Sequence, residues 1–256
     1  MESHISKSKI DRLGDRLRKG NPSDDDLRLL DEYRRSFNNA YDIVVVSIRQ
    51  NLKIEPTGRP AKSTTSISEK LRRESIRLTQ VQDIAGCRLI VPEIADQERL
   101  IASLVKIFPE STVVDRRKKP SHGYRAVHLI VSVSEKAVEI QVRTALQQGW
   151  AELSEKLSDL FDPAIKYGGG NEKAIQLLGI ASLRIVELEA MEFNVLEMQS
   201  SLAGMLSNPS LTEDLQADIM NMRLKITSHK GELDAAREDL LNTLGITVKE
   251  LRETSS

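Results

Sequence analysis

The chain has a single cysteine, Cys87, in 256 residues, which excludes an internal disulfide and any cysteine-only metal cage. Its histidines, His4, His122, His128 and His229, form no metal-spaced pair. Long hydrophobic runs are also missing. The longest, such as Ile43 to Ile48 and Leu89 to Val91, are far too short to span a bilayer. Met1 to Asp11 is polar and lacks the apolar core of a signal peptide. Neither sign of charge dominates. With a formal net charge of −1, no global field draws the chain onto DNA or an acidic membrane, so a polyanion site has to be a local basic patch. These absences point to a cytoplasmic protein with no membrane and no DNA partner. Hydrophobic residues at 39% and charged residues at 29% suit a globular chain and exclude a disordered one.

What is present divides into three stretches. Residues 1-21 read as a polar N-terminal segment. The first helix is expected from Pro22, with Ser23 as N-cap and acids in the first turn. Leu30, Tyr33, Phe37, Tyr41, Val44 and Ile48 then recur at helical spacing and give one buried face, which Pro56 and Gly58 end. A second helix is expected from Ser66, with Glu69 closing a capping box. The middle of the chain is rich in short β-branched runs: Cys87 to Val91, Thr112 to Asp115, Ala126 to Val133 and Ala137 to Arg143 read as strands. A helix over Asp96 to Phe108 separates the first two, and Ser134-Glu135-Lys136 reads as a hairpin connection. This order predicts an α+β domain over 22-167 with a mixed sheet flanked by helices.

Beyond Gly168-Gly169-Gly170 the chain is purely helical, and 171-256 reads as a C-terminal extension. Leu178, Ala181, Ile185, Leu188, Met191, Val195, Met198 and Leu202 form one apolar seam. Asn208-Pro209-Ser210 breaks the helix, with Ser210 and Glu213 able to cap the next. Leu215, Ile219, Met222, Ile226, His229, Leu233, Ala236 and Leu240 form a second seam with His229 as its polar interruption. The pair predicts a helical hairpin of coiled-coil type. The pattern leaves open whether it packs on its own core, on a twin subunit as a homo-oligomer, or on another protein.

Polar residues sit in and beside otherwise apolar strands at Asp83 to Arg88, Lys119 to His128 and Val138 to Thr144. In the last of these, Glu139, Gln141 and Arg143 share one face while Val138, Ile140 and Val142 share the other. For one strand alone, a solvated sheet face explains that pattern. Three such segments in one small sheet point instead to a cleft. Asp83 and Glu139 together suit a hard cation, because Mg²⁺ takes one or two carboxylates and completes its shell with water and phosphate oxygens. Nearby arginines would balance phosphate charge, and Tyr124 beside Gly123 is placed to offer a ring to a base. Arg116-Arg117-Lys118-Lys119 is either a solvated charge run or a contact for polyphosphate or RNA. Cys87 reads as a small buried hydrophobe rather than a reactive thiol.

The ordered set Asp83-x-x-Gly86-x-Arg88, Gly123-Tyr124-Arg125-x-x-His128 and Glu139-x-Gln141-x-Arg143-Thr144 resembles the synthetase domain of the RelA/SpoT alarmone family. Arg59-x-x-Lys62 with Ser66-Ile67 and Lys70 resembles that family's ATP-binding stretch, and Trp150-Ala151-Glu152 the start of its post-strand helix. The resemblance covers about Arg59 to Leu157. It implies a nucleotidyltransferase-like fold and transfer of the β,γ-diphosphate of ATP to the 3′-hydroxyl of GTP or GDP. By the same resemblance Asp83 and Glu139 hold Mg²⁺, and Glu139 is also the candidate base. Arg59 and Arg88 sandwich adenine, while Lys62, Ser66 and Lys70 contact the ATP phosphates. Tyr124 stacks on the acceptor base, with His128, Gln141, Lys119 and Arg125 around the acceptor nucleotide.

Two departures fall on the acceptor side. Ser154-Glu155 stands where members commonly have Glu-His, and the lysine before Gly-Tyr is one residue further away than usual. No His-Asp dipeptide occurs, so the hallmark of the family's hydrolase domain is missing. An acceptor other than GTP or GDP (the 3′ end of tRNA, or an adenosine nucleotide) is the first alternative. A catalytically silent nucleotide-binding regulator is the second, disfavoured because a pure binder has no need of both Asp83 and Glu139.

Overall fold

The structure is a computed structural model that describes residues 5–207 and 212–253. Its elements run α1 (Lys7–Lys19), α2 (Asp24–Arg35), α3 (Asn38–Leu52), β1 (Thr57–Arg59), α4 (Thr64–Arg73), β2 (Ala85–Val91) and α5 (Ile94–Ile107). They continue with β3 (Thr112–Asp115), β4 (Val127–Val133), β5 (Lys136–Thr144), α6 (Ala145–Leu160), α7 (Glu172–Leu206) and α8 (Glu213–Glu253). The strands form one mixed sheet in the order β1-β2-β5-β4-β3. The fold is α+β, as the pattern of elements predicted. Among the described residues no helix is long and apolar enough to cross a membrane.

The chain forms two compact units. The first comprises residues 1–89, 100–115 and 127–142; the second comprises residues 90–99, 116–126 and 143–256.

In the first unit, α1 is a finding the sequence reading missed, because residues 7–19 are dense in charge and interrupted by Gly14. Ile10, Leu13 and Leu17 nonetheless recur at helical spacing and are all buried. Each contributes roughly 1.5–3 kcal/mol of apolar burial. Gly14 is needed for close approach, since a Cβ there would lie 2.8 Å from that of Leu78. Ser23 caps α2 as expected, in a reciprocal box with Asp26. The single helix expected over the Leu30–Ile48 face is in fact two, with the break at Ser36 and Phe37. α4 starts earlier than predicted: Ser63 is its N-cap, accepting from Ser66 N, and Glu69 closes no box. β4 and β5 are joined by Ser134 and Glu135, both with left-handed backbone (φ 48° and 60°), the signature of a tight two-residue hairpin.

In the second unit, α6, α7 and α8 share one core of Trp150, Leu153, Leu157, Leu178, Ile185, Leu188, Leu233 and Leu244 with their neighbours. The seam of α7 read from sequence is therefore filled from within the chain. His229 is exposed, its Nδ1 2.8 Å from the Lys225 carbonyl. Thr212 caps α8, accepting from Leu215 N at 3.2 Å. The expected break at Asn208-Pro209-Ser210 lies outside the described residues.

Candidate active site

The first unit builds two charged clusters. Asp83 stands in the turn that leads into β2, and Lys62 lies just after β1, where its N–H donates to the Ile84 carbonyl at 2.6 Å. The Arg34 guanidinium fixes the same residue from the other side, donating to the Lys62 carbonyl at 2.8 Å. Lys70 comes from the last turn of α4. Both ammonium groups converge on one carboxylate: Lys62 Nζ is 2.7 Å from Asp83 Oδ2 and Lys70 Nζ 2.9 Å from Oδ1. Burial alone would raise the Asp83 pKa, but the charges and hydrogen bonds of Lys62 and Lys70 outweigh it and hold the pKa below the ordinary value. Ser66 is half-buried on α4, its Oγ 2.8 Å from that of Ser63.

The second cluster is a polar face of the sheet. In the β1–β2 register Arg59 pairs with Gly86 and Thr57 with Arg88. Directly paired and alternate residues share a side, so Arg59 and Arg88 lie diagonally on one face. In the β4–β5 register His128 pairs with Gln141 and Ile130 with Glu139, which gathers His128, Glu139 and Gln141 on one face as well. Gly86 has no side chain for a reason: a Cβ there would lie 2.9 Å from the Glu139 carbonyl oxygen and 3.4 Å from its Cβ. The Glu139 carboxylate accepts from His128 Nδ1 at 2.9 Å and from Gln141 Nε2 at 2.7 Å. Since an ionised carboxylate only accepts, the hydrogen of that first contact resides on Nδ1. Burial pushes the Glu139 pKa up and nearby Asp83 adds to that, yet His128 and Gln141 outweigh both and leave it lowered.

Asp83 and Glu139 are thus two ionised, mostly buried carboxylates close enough to feel each other's charge. Their hard oxygen donors suit Mg²⁺, which needs few protein ligands. Among the described residues no group of three or more acidic, histidine or cysteine side chains forms a protein-only metal cage.

The second unit holds the other predicted residues. Tyr124 closes a tight turn, its N–H donating to the Ser121 carbonyl at 2.9 Å, with left-handed backbone at His122 and Gly123 (φ 52° and 88°). Its hydroxyl accepts from Arg143 Nη2 at 3.0 Å. Arg143 also donates to Gln148, which in turn donates to Glu152 at 2.7 Å. Arg125 donates to Glu189 on α7 and to the Arg117 carbonyl. Lys119 is exposed. Of the basic run, Arg117 is drawn inward, 2.7 Å from Glu98, while Arg116 and Lys118 are exposed. From sequence Arg143 shares the polar face of its strand with Glu139 and Gln141, but its bond to Tyr124 and the roles of Gln148, Glu152 and Glu189 as partners carry no sequence signal. A lone glutamate among the polar positions of a long helix carries no signal before the helix is packed.

Residues 58–158 match the family model described as the region found in RelA / SpoT proteins. This segment is similar to the RelA/SpoT region, over less than half of the chain. Uncharacterized proteins of Mycobacterium tuberculosis and Mycobacterium bovis are 36% identical over 133 residues, covering 50% of this chain and 48% of theirs. The chain therefore spans about half the length of these curated relatives. The GTP pyrophosphokinase YwaC of Bacillus subtilis is 32% identical over 123 residues, 41% of this chain and 58% of that one. The crystal structure of small alarmone synthetase 1 from Bacillus subtilis superposes with a TM-score of 0.52 at 25% identity. That match covers 68% of this chain and 99% of the synthetase. The matched residues 58–158 contain both charged clusters of the first unit.

Proposed function

We propose that the chain is a pyrophosphokinase that transfers the β,γ-diphosphate of ATP to the 3′-hydroxyl of GTP or GDP. The observation that carries this reading is the polar sheet face, where Glu139 is kept ionised by His128 and Gln141 within a RelA/SpoT region. The name of YwaC supports a guanine nucleotide as acceptor.

In this reaction the 3′-oxygen of the acceptor bonds to the β-phosphorus of ATP, the bond from that phosphorus to the α,β-bridging oxygen breaks, and AMP leaves. The hydroxyl proton passes to Glu139. A carboxylate of lowered pKa is a weak base, which suffices where the transition state is loose and the proton departs late. Lys62 and Lys70 neutralise the triphosphate, and Ser66 adds a donor at the same helix. Arg59 and Arg88 stack on adenine with their planar guanidinium groups. Tyr124 stacks on the acceptor base, its hydroxyl fixed by Arg143, and His128 and Gln141 serve the acceptor while holding Glu139. Asp83 and Glu139 would hold Mg²⁺, which supplies charge neutralisation at the transferring phosphates.

A tRNA or adenosine acceptor is a second reading, favoured by the exposure of Arg116 and Lys118 beside the Tyr124 loop. Thin-layer analysis with γ-labelled ATP, offered GTP, GDP, ATP and deacylated tRNA in turn, separates the two. Labelled product with GTP or GDP is expected. Product with tRNA alone would overturn the first reading, and no product with any acceptor would overturn both.

A further inference from the structure

The Tyr124 turn is gripped from helix α7, which lies wholly outside residues 58–158. Ser182 Oγ donates to the Gly123 carbonyl at 3.0 Å. A Cβ at Gly123 would lie 2.9 Å from Trp150 Cζ2 and 3.1 Å from Ser182 Cβ, so the turn is seated on these two side chains with no room to spare. Trp150 is itself anchored to the same helix, its Nε1 donating to the Leu178 carbonyl at 2.8 Å. Two residues beyond Gly123, Arg125 is ion-paired to Glu189, and both side chains are nearly buried, 11% and 5% exposed.

Glu189 is also the end of a buried chain of hydrogen bonds. Gln147 Nε2 donates to Glu189 Oε1 at 2.7 Å, Gln97 Nε2 to Gln147 Oε1 at 2.9 Å, and Arg117 Nη1 to Gln97 Oε1 at 3.0 Å. The chain closes on the loop itself, because Arg125 Nη1 donates to the Arg117 carbonyl at 3.0 Å. Both ends of the segment 117–125 are thereby referred to one glutamate. An uncompensated charge in such a place is costly, so each member depends on the others.

We infer that Ser182 and Glu189 are positioning residues for the Tyr124 loop, so that α7 sets the geometry of the acceptor side from outside the family region. Arg125 then works through this clamp and makes no contact with the acceptor itself. The catalytic consequence rests on the function proposed above; the clamp does not.

The test uses the full chain with Ser182→Ala and Glu189→Gln. Trp150 is the sole tryptophan and is buried against the loop, so its emission reports the clamp without any assay of activity. Loop amides 117–126 should exchange hydrogen about tenfold faster in each variant, as expected when a local tether is cut, and Trp150 emission should shift to the red. In kinetics the acceptor KM should rise about tenfold with the ATP KM within about twofold, because a misplaced positioning group weakens one substrate selectively. A merely destabilised enzyme would lose kcat with both KM values unchanged. Ser182→Ala removes one hydrogen bond and little volume, and it keeps the test open if Glu189→Gln does not fold. Exchange and emission identical to wild type in Ser182→Ala would overturn the clamp. KM values that move together would overturn its selectivity for the acceptor. If the wild type transfers no diphosphate, the proposed function fails, and exchange and emission still decide the clamp.

Discussion

His128 Nδ1 lies 2.9 Å from Glu139 Oε1, across neighbouring strands of the sheet and diagonal in register. This contact, with that of Gln141, keeps a mostly buried glutamate charged. Glu139→Gln preserves shape and removes the charge, so transfer should fall by at least about 10²-fold while the protein stays folded. Circular dichroism alongside the labelled-ATP assay checks both halves. Activity within a few-fold of wild type at saturating Mg²⁺ would remove Glu139 from the mechanism. Asp83→Asn should behave in the same way.

The diagonal placement of Arg59 and Arg88 on β1 and β2 leads to a second expectation. Replacing either with alanine should weaken ATP binding by about 1–2 kcal/mol through lost stacking. Tyr124→Ala should mainly raise the acceptor KM. Calorimetry that finds Tyr124→Ala the more damaging to ATP affinity would show the two subsites to be reversed.

Cys87 supplies a pH prediction. Burial, with the Glu139 charge adding to it, pushes the thiol from its ordinary 9.0 up to about 12. In the folded state the proton is therefore retained between about pH 9 and 12, while the unfolded chain loses it. Unfolded chains bind fewer protons in this window, so the contribution of this group to stability is full below pH 9 and is lost as pH rises toward 12. At pH 8 the native thiol should resist alkylation and react only in denaturant. Rapid labelling of native protein at pH 8 would contradict the burial of this strand.

The seam of α7 bears on truncation. Leu178, Ile185 and Leu188 already share a core with Trp150 and Leu153. Removing everything after Lys166 should uncover Trp150, lower the melting temperature and promote aggregation. A truncated chain that is monodisperse by light scattering, with native Trp150 emission, would show that α6 needs no cover from α7 and α8. That outcome would favour self-association as the role of these helices.

For the acceptor, Arg116 and Lys118 are the informative pair, since Arg117 is already committed to Glu98 and Gln97. Arg116→Gln with Lys118→Gln should change GTP-dependent turnover less than about tenfold. Were tRNA the acceptor, each neutralised phosphate would add nearly one log unit of affinity lost per log unit of salt. Measuring the rate from low to moderate salt in both proteins checks this. A steep salt slope abolished by the double change would favour the tRNA reading.

By itself the sequence determined the local structure and the chemistry on offer. Alternation in Val138 to Arg143 assigned Glu139 and Gln141 to one side of a strand, because side chains in extended backbone point alternately. Helical spacing marked Leu178, Ile185 and Leu188 as a seam. Ser23 was legible as a cap because its role is set within four residues. Only the tertiary structure decided which charges meet. Lys62, Lys70 and Asp83 are separated along the chain by a helix and a turn, and His128 reaches Glu139 only through the pairing of β4 with β5. The fate of Arg125 was hidden for the same reason, since its partner Glu189 is distant in sequence and indistinguishable, before packing, from a solvated glutamate on any helix. Periodicity reports which face an element buries; it carries no information on which other element covers that face. Helix α1 shows the converse limit. Its apolar positions were present, but a charge-rich segment with a central glycine is a weak helix in isolation, and the contact of Gly14 with Leu78 that favours it exists only in the folded chain.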